Sequence, residues 1–192
     1  MEAIEILMSE HRTILAAIEA LTAFADAARR GVEDHAELGR FVRFIQSYAD
    51  AHHHAKEEGV LFEAMIEAGF PRQAGPVGMM LHEHDLGRQY VAVLSALAGK
   101  AGPWTAEDRE ELDAAANGYA QLLRNHIHKE DAILYPMAEQ RLSGALAFQV
   151  ETGCAQMEAR AAASGLRGEL EALGRDLVAR HVPGLGAERR AG

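Results

Sequence analysis

The chain has 192 residues, 48% of them hydrophobic, and a formal net charge of −10, the size and make-up of one globular unit with a core of its own. The acidic balance, with no Lys/Arg-rich block beyond Arg189-Arg190, excludes nucleic acid as a partner, because a phosphate backbone would be repelled. No apolar run reaches the roughly 18 residues of a membrane span, residues 1–10 lack the positive start of a signal peptide, and the single cysteine, Cys154, excludes a disulfide framework or thiolate cluster; the expectation is a cytoplasmic protein with no membrane partner.

Taken in chain order, apolar residues recur at three- and four-residue spacing and never alternate with period two. Breaks at Gly31, at 69–75 and at 99–104 leave four predicted helices near 2–29, 35–67, 76–98 and 105–140. Thr105 and Asp108 form the cap that opens the fourth. Connections this short make neighbours antiparallel, so the predicted fold is all-α, an up-down four-helix bundle over residues 1–140. A further amphipathic segment, 144–182, carries Leu146, Phe148, Val150, Met157, Leu166, Leu170, Leu173 and Leu177. It is expected to be one additional C-terminal helix packed outside the bundle, with a loose tail after His181 completing residues 141–192. Met79 and Met80 read as core filler, and Trp104 as a loop anchor.

The second helix contains His52-His53-His54-Ala55-Lys56-Glu57-Glu58, and the fourth contains Asn125-His126-Ile127-His128-Lys129-Glu130-Asp131. The two align without a gap, and Glu10-His11 matches Glu83-His84 in the same way. His53 follows His11 by 42 residues, His126 follows His84 by 42, and every partner is displaced by 73. That is a duplicated helical hairpin.

A rise of about 1.5 Å per residue brings His11, His84, Glu57 and Glu130 to one level of an antiparallel bundle, with His53 and His126 a turn further in. Each His-x-x-x-Glu pair projects from a single helix face. That face is apolar: Ile45, Ala49, Val60, Leu61 and Ala64 share it with His53 and Glu57, while Leu122, Leu123, Ile133, Leu134 and Met137 share it with His126 and Glu130. Two carboxylates buried side by side would each cost several kcal/mol without compensation. A pair of divalent cations removes the cost, and imidazole plus carboxylate suits iron, and also manganese or zinc. Any one of these histidines alone would read as a hydrogen-bonded core residue; six such groups aimed at one volume read as a metal centre with Glu57 and Glu130 as bridges. Glu58 and Asp131, off the stripe, read as solvated or as partners of the ligands. Tyr48, Tyr90 and Tyr119 read as core packing, and His35, His52, His82, His128 and His181 as surface residues.

Glu10-His11-Arg12, the His53-His54-x-Lys56-Glu57-Glu58-x-x-Leu61-Phe62 segment, Glu83-His84 with Gly87-Arg88, and the Asn125-His126-Ile127-x-Lys129-Glu130-x-x-Ile133-Leu134-Tyr135-Pro136 segment together resemble the hemerythrin-like, HHE cation-binding family over about residues 1–140. The resemblance implies two non-haem iron ions (Fe2+/Fe3+) with a bridging oxo or hydroxo group. Its members bind or sense dioxygen or nitric oxide, react with peroxide, or act in iron handling and iron–sulfur repair. The chain departs from the invertebrate oxygen carriers at two places. Met80 stands where they carry a histidine four residues before His84, and both Glu130 and Asp131 stand near the place of their last carboxylate. His54 is the candidate to replace the missing ligand. Because it faces Ile127 in the internal alignment, it is expected on the ion held by the first half, leaving the other ion open.

The expected metal residues are therefore His11, His53, His54, Glu57, His84, His126 and Glu130. The leading functional expectation is a di-iron centre that meets a small diatomic ligand or peroxide, with oxygen- or peroxide-reactive turnover as one form of it. The alternative is an iron- or oxygen-sensing module, or an iron-handling or repair protein, whose metal occupancy orders the bundle for a protein or redox partner. A ferritin-like storage site fits less well, because such sites are carboxylate-rich.

Overall fold

Helices form where the apolar spacing runs and stop at the breaks near Gly31, 69–75 and 99–104. In the computed structural model, which describes residues 1–182, α1 spans Glu2–Arg29. α2 begins at His35, where the Asp34 carboxylate accepts the Glu37 N–H. It continues as one rod through His35–Phe44, Ile45–His54, Glu57–Leu61 and Phe62–Glu67. α3 is Gly75–Ala98. α4 opens beneath the predicted cap, with Thr105 and Asp108 each accepting the other's N–H, and runs through Ala106–Lys129, Glu130–Leu134 and Tyr135–Arg141.

Three stretches are π-helical: Ile45–His54, Glu57–Leu61 and Glu130–Leu134. The last two are offset by the same 73 residues as the sequence repeat, and each begins at a repeated glutamate. The wider turn changes which side chains face inward, so neighbours that an α-helix would splay apart can both be buried.

Cross-helix contacts give the up-down order. Glu10 meets His53 and Phe24 meets Phe41 between α1 and α2. Glu58 meets His84 and Asp50 meets Arg88 between α2 and α3. Glu83 meets His126 and Gly87 lies against Tyr119 between α3 and α4. Glu19 meets Arg124 and His11 meets Asp131 between α4 and α1. In each pair one number rises as the other falls, so every neighbour is antiparallel. The interior divides into two apolar clusters, one around Phe24, Phe41 and Trp104 and the other around Leu7, Phe62 and Tyr135. The duplicated polar residues lie in register between them.

The segment 144–182 is two helices, not one. α5 spans Ala145–Ala163 and α6 spans Leu166–His181. The break is at Gly165, whose φ of 72° is left-handed and open to glycine at no steric cost. α6 packs on α1 and α2, where Gly174 lets it approach Phe44 so closely that a Cβ would lie 2.7 Å from the ring. Arg40–Asp176 and Arg43–Glu169 ion pairs flank this contact. The predicted loose tail lies outside the described residues. Among the described residues no helix is long and apolar enough to cross a membrane.

Some apolar side chains are not where spacing put them: Met79 is 50% exposed and Ile133 is 52% exposed, so neither fills the core, and Phe148 and Leu166 of the C-terminal segment are exposed as well. Ile133 lies inside the π-helical turn, which rotates it off the stripe. Met80, by contrast, is buried, and buried Trp104 donates its indole N–H to Leu97 O.

Candidate metal centre

The repeat in sequence becomes a repeat in space. His11 and His53 bring their Nε2 atoms to 3.0 Å, and His84 and His126 do the same at 3.0 Å. Both ring pairs meet edge-on, with centroids 4.7 and 4.8 Å apart. The outward nitrogens are held alike. Glu10 Oε2 lies 2.8 Å from His53 Nδ1, and Glu83 Oε2 lies 2.9 Å from His126 Nδ1. Asp131 lies 2.8 Å from His11 Nδ1, and Glu58 lies 2.7 Å from His84 Nδ1. Lys56 and Lys129 steady Glu10 and Glu83 in turn.

Glu57 and Glu130, both fully buried, stand between the halves. Glu57 Oε2 is 3.5 Å from His53 Nε2 and 3.5 Å from His84 Nε2. Glu130 Oε2 is 3.3 Å from His11 Nε2, and its Oε1 is 3.3 Å from His126 Nε2. Glu57 Oε2 and both Glu130 oxygens lack a hydrogen-bond partner. Buried polar atoms are nearly always paired, so three orphaned carboxylate oxygens among imidazoles mark a volume shaped for cations. Burial and the Glu130 charge push the Glu57 carboxyl well above its ordinary range, because two carboxylates this close cannot both ionise unaided. Burial brings His53 down to about 3 and His54 down to about 4, keeping both imidazoles neutral, the form that can donate to a metal.

Two groups of four donors emerge. In one, single atoms of His11, His53, Glu57 and Glu130 all lie within 4.8 Å of one another; in the other, those of His54, Glu57, His84 and His126 do. Every residue predicted for the site is therefore in one of the two groups. His54, however, stacks on His84 at 3.8 Å and lies 5.7 Å from His53. It stands with the second half, not the first, and so occupies the side on which Met80 leaves a histidine missing. His53 turns to His11 of α1 and His54 to His84 of α3, so both neighbours are buried.

Spacing also missed Tyr135, His52, Lys56 and Glu158. Tyr135 donates its O–H to Glu57 Oε1 at 2.6 Å and stacks on His11 at 5.5 Å; its counterpart in the repeat, Phe62, stacks on His84. His52, expected at the surface, is buried against Glu10 and Glu158, with fully buried Lys56 linking the same two carboxylates. Glu10, His52 and Glu158 also have metal-like spacing, but the Lys56 ammonium already supplies the cation there. The 73-residue recurrence of Glu10 as Glu83 and of Lys56 as Lys129 was the signal that could have marked Glu10 and Lys56 as partners.

The family model for the hemerythrin HHE cation binding domain matches residues 2–138. The chain belongs to this family. Its HHE domain is 38% identical over 94 residues to an iron-sulfur cluster repair protein YtfE of Musicola paradisiaca, covering 45% of this chain and 40% of the relative. It is 37% identical over 91 residues to the iron-sulfur cluster repair protein DnrN of Neisseria gonorrhoeae, covering 43% and 54%. A probable iron-sulfur cluster repair protein of Haemophilus influenzae is 29% identical over 114 residues, covering 55% and 49%. The chain thus spans about half or less of the length of these curated relatives. No solved structure gives a significant match.

Proposed function

We propose that this HHE chain holds two non-haem iron ions and acts in iron handling of the iron–sulfur repair kind. One observation carries the reading: Glu57 and Glu130 are fully buried, carry three unpartnered oxygens, and each reaches histidines of both halves. Uncompensated, that arrangement would be strongly destabilising; the nitrogen and oxygen donor set is one that iron accepts. His11 and His53 would hold one ion, His54, His84 and His126 the other, and Glu57 and Glu130 would serve both. When bound, such ions supply one-electron redox chemistry and a store of exchangeable iron.

The chain's own residues do the positioning. Glu10, Glu83, Asp131 and Glu58 accept from the outward imidazole nitrogens and so turn each Nε2 lone pair inward. Tyr135 O–H anchors Glu57 Oε1 and leaves Oε2 free. The two apolar clusters close off the centre on either side along the bundle. Three relatives with repair in their names support the iron-handling reading over small-ligand binding.

The test is direct. Protein produced with ample iron should contain about two irons per chain, and adding it to an enzyme whose iron–sulfur cluster has been damaged by peroxide should restore activity beyond an equal amount of free Fe2+. Two bound irons with no restoration, but a reversible spectral change with dioxygen, nitric oxide or peroxide, would favour the small-ligand reading instead.

A further inference from the structure

The duplicated halves agree at the centre and disagree on the side from which it is reached. Beside the second half, a cavity of about 90 Å³ runs from exposed Gln46 and Arg88 down to buried His54 and His84, room for several waters. Gly87 forms part of its wall. At the mirror positions, 73 residues away, the side of the centre beside His11 has Ile14 for Gly87, Leu15 for Arg88, Leu123 for Asp50 and Ile127 for His54. Ile14, Leu123 and Ile127 are buried in the apolar cluster. The same place in the repeat is therefore sealed by hydrocarbon on one side and left open on the other, where Asp50, His54, His84 and Arg88 share the wall with Ile45, Val91 and Tyr119.

The open side is acidic. Arg88 is held by Asp50 at 2.8 Å, Glu58 at 2.6 Å and Asp85 at 3.0 Å, so three carboxylates meet one guanidinium. Asp50 and Glu58 also face inward, to His54 Nδ1 at 3.3 Å and His84 Nδ1 at 2.7 Å. Single donor atoms of Asp50, His54 and Glu58 lie within 4.8 Å of one another. Carboxylates leading to imidazoles along one wall make a path for a divalent cation.

We propose that this cavity is the port through which ferrous iron enters and leaves the half of the centre bounded by His54, His84 and His126, with Arg88 as a displaceable cation at its mouth, while the ion beside His11 and His53 exchanges slowly. This rests on the centre holding iron. The experiment follows release of Fe2+ from the iron-loaded full chain to ferrozine, and uptake by the iron-free chain. Wild type should release its two ions in separate fast and slow phases. Arg88→Ala should speed uptake and the fast phase by about tenfold, because the guanidinium no longer competes at the acidic mouth. Gly87→Ile, copying Ile14, should slow the fast phase by about tenfold or more and leave the slow phase alone. Gly87→Ala guards against misfolding: its Cβ would meet Tyr119 at 3.5 Å and Leu122 at 3.9 Å, ordinary contacts, so it should fold and slow the fast phase less.

Two irons bound but released at one rate, or a fast phase that the Gly87 variants leave unchanged, would overturn the port. So would variants that alter nitric oxide binding rates but not ferrous release, which would assign the cavity to neutral ligands. A wild-type chain that binds no iron would instead overturn the iron reading on which the port rests.

Discussion

Tyr135 is the point at which the two halves of the centre differ by one oxygen atom. Its counterpart, Phe62, fills the same place against His84, but Tyr135 alone reaches Glu57. Tyr135→Phe should therefore lose one buried hydrogen bond, about 1 kcal/mol of iron-free stability, and should weaken iron binding by about tenfold because Glu57 is no longer oriented. Chelator competition and denaturant titration would check the two effects separately; unchanged iron affinity would show that the hydroxyl has no part in holding Glu57. Glu57→Gln separates stability from binding in another way. In the iron-free chain Glu57 is held toward its protonated form, so the neutral amide should alter stability by less than about 1 kcal/mol. With iron present, the variant should lose metal from both halves, and elemental analysis showing two retained irons would exclude Glu57 as a shared ligand.

Among the elements, the α5–α6 pair is tied to the centre by one chain of charges: Glu158 to Lys56, Lys56 to Glu10, and Glu10 to His53. Burial alone would raise the Glu158 pKa, but hydrogen bonds from His52 and Lys56, with the Lys56 charge, hold it at about 2 against an ordinary 4.5. A carboxyl with a lowered folded-state pKa contributes stability that is complete above its unfolded value and lost as pH falls through the folded one. Glu158→Gln should accordingly unfold more easily than wild type at pH 7, with the difference shrinking between pH 4.5 and 2; a difference independent of pH would place its cause in packing. Gly174 marks the other contact of this pair. Alanine would improve helix propensity by about 1 kcal/mol, but its Cβ would lie 2.7 Å from the ring of Phe44, which is itself buried. Overpacking costs of about 1–3 kcal/mol prevail when neither side can move. Gly174→Ala should lower the thermal midpoint followed by circular dichroism, and a raised midpoint would mean that α6 shifts freely.

For the molecule as a whole, a cation-shaped layer lies between two apolar clusters, so metal occupancy and global stability should be coupled. Iron about 100-fold above its dissociation constant contributes about 2.7 kcal/mol per site, and its removal should lower the thermal midpoint accordingly. Cys154 gives an independent reading. It is buried in the cluster shared with α5, and burial lifts its thiol to about 11, so a thiol reagent should modify it only when the helices part. Labelling should be slow with iron bound and faster after chelation; equal rates would mean that α5 opens independently of the centre.

The amino-acid sequence determined the helical class, the bundle order and the set of residues that meet between the helices, because 3.6-residue apolar spacing and a 73-residue repeat are written directly in it. His11, His53, Glu57 and their repeats were legible because i, i+4 spacing keeps a His and a Glu on one face whatever the tertiary context. Where His54 goes, why His52 is buried and why Ile133 is not were decided only by the fold. His54 turns to His84 of α3, His52 is covered by Glu158 of α5, and Ile133 lies in a π-helical turn; none of these leaves a mark in composition. The break at Gly165 likewise needed its left-handed φ to be seen, since glycine occurs inside helices as well as between them. The difference between a sealed and an open side is present in the sequence as Ile14 against Gly87 and Ile127 against His54. It became legible only when tertiary packing showed that the smaller and more polar set lines a cavity.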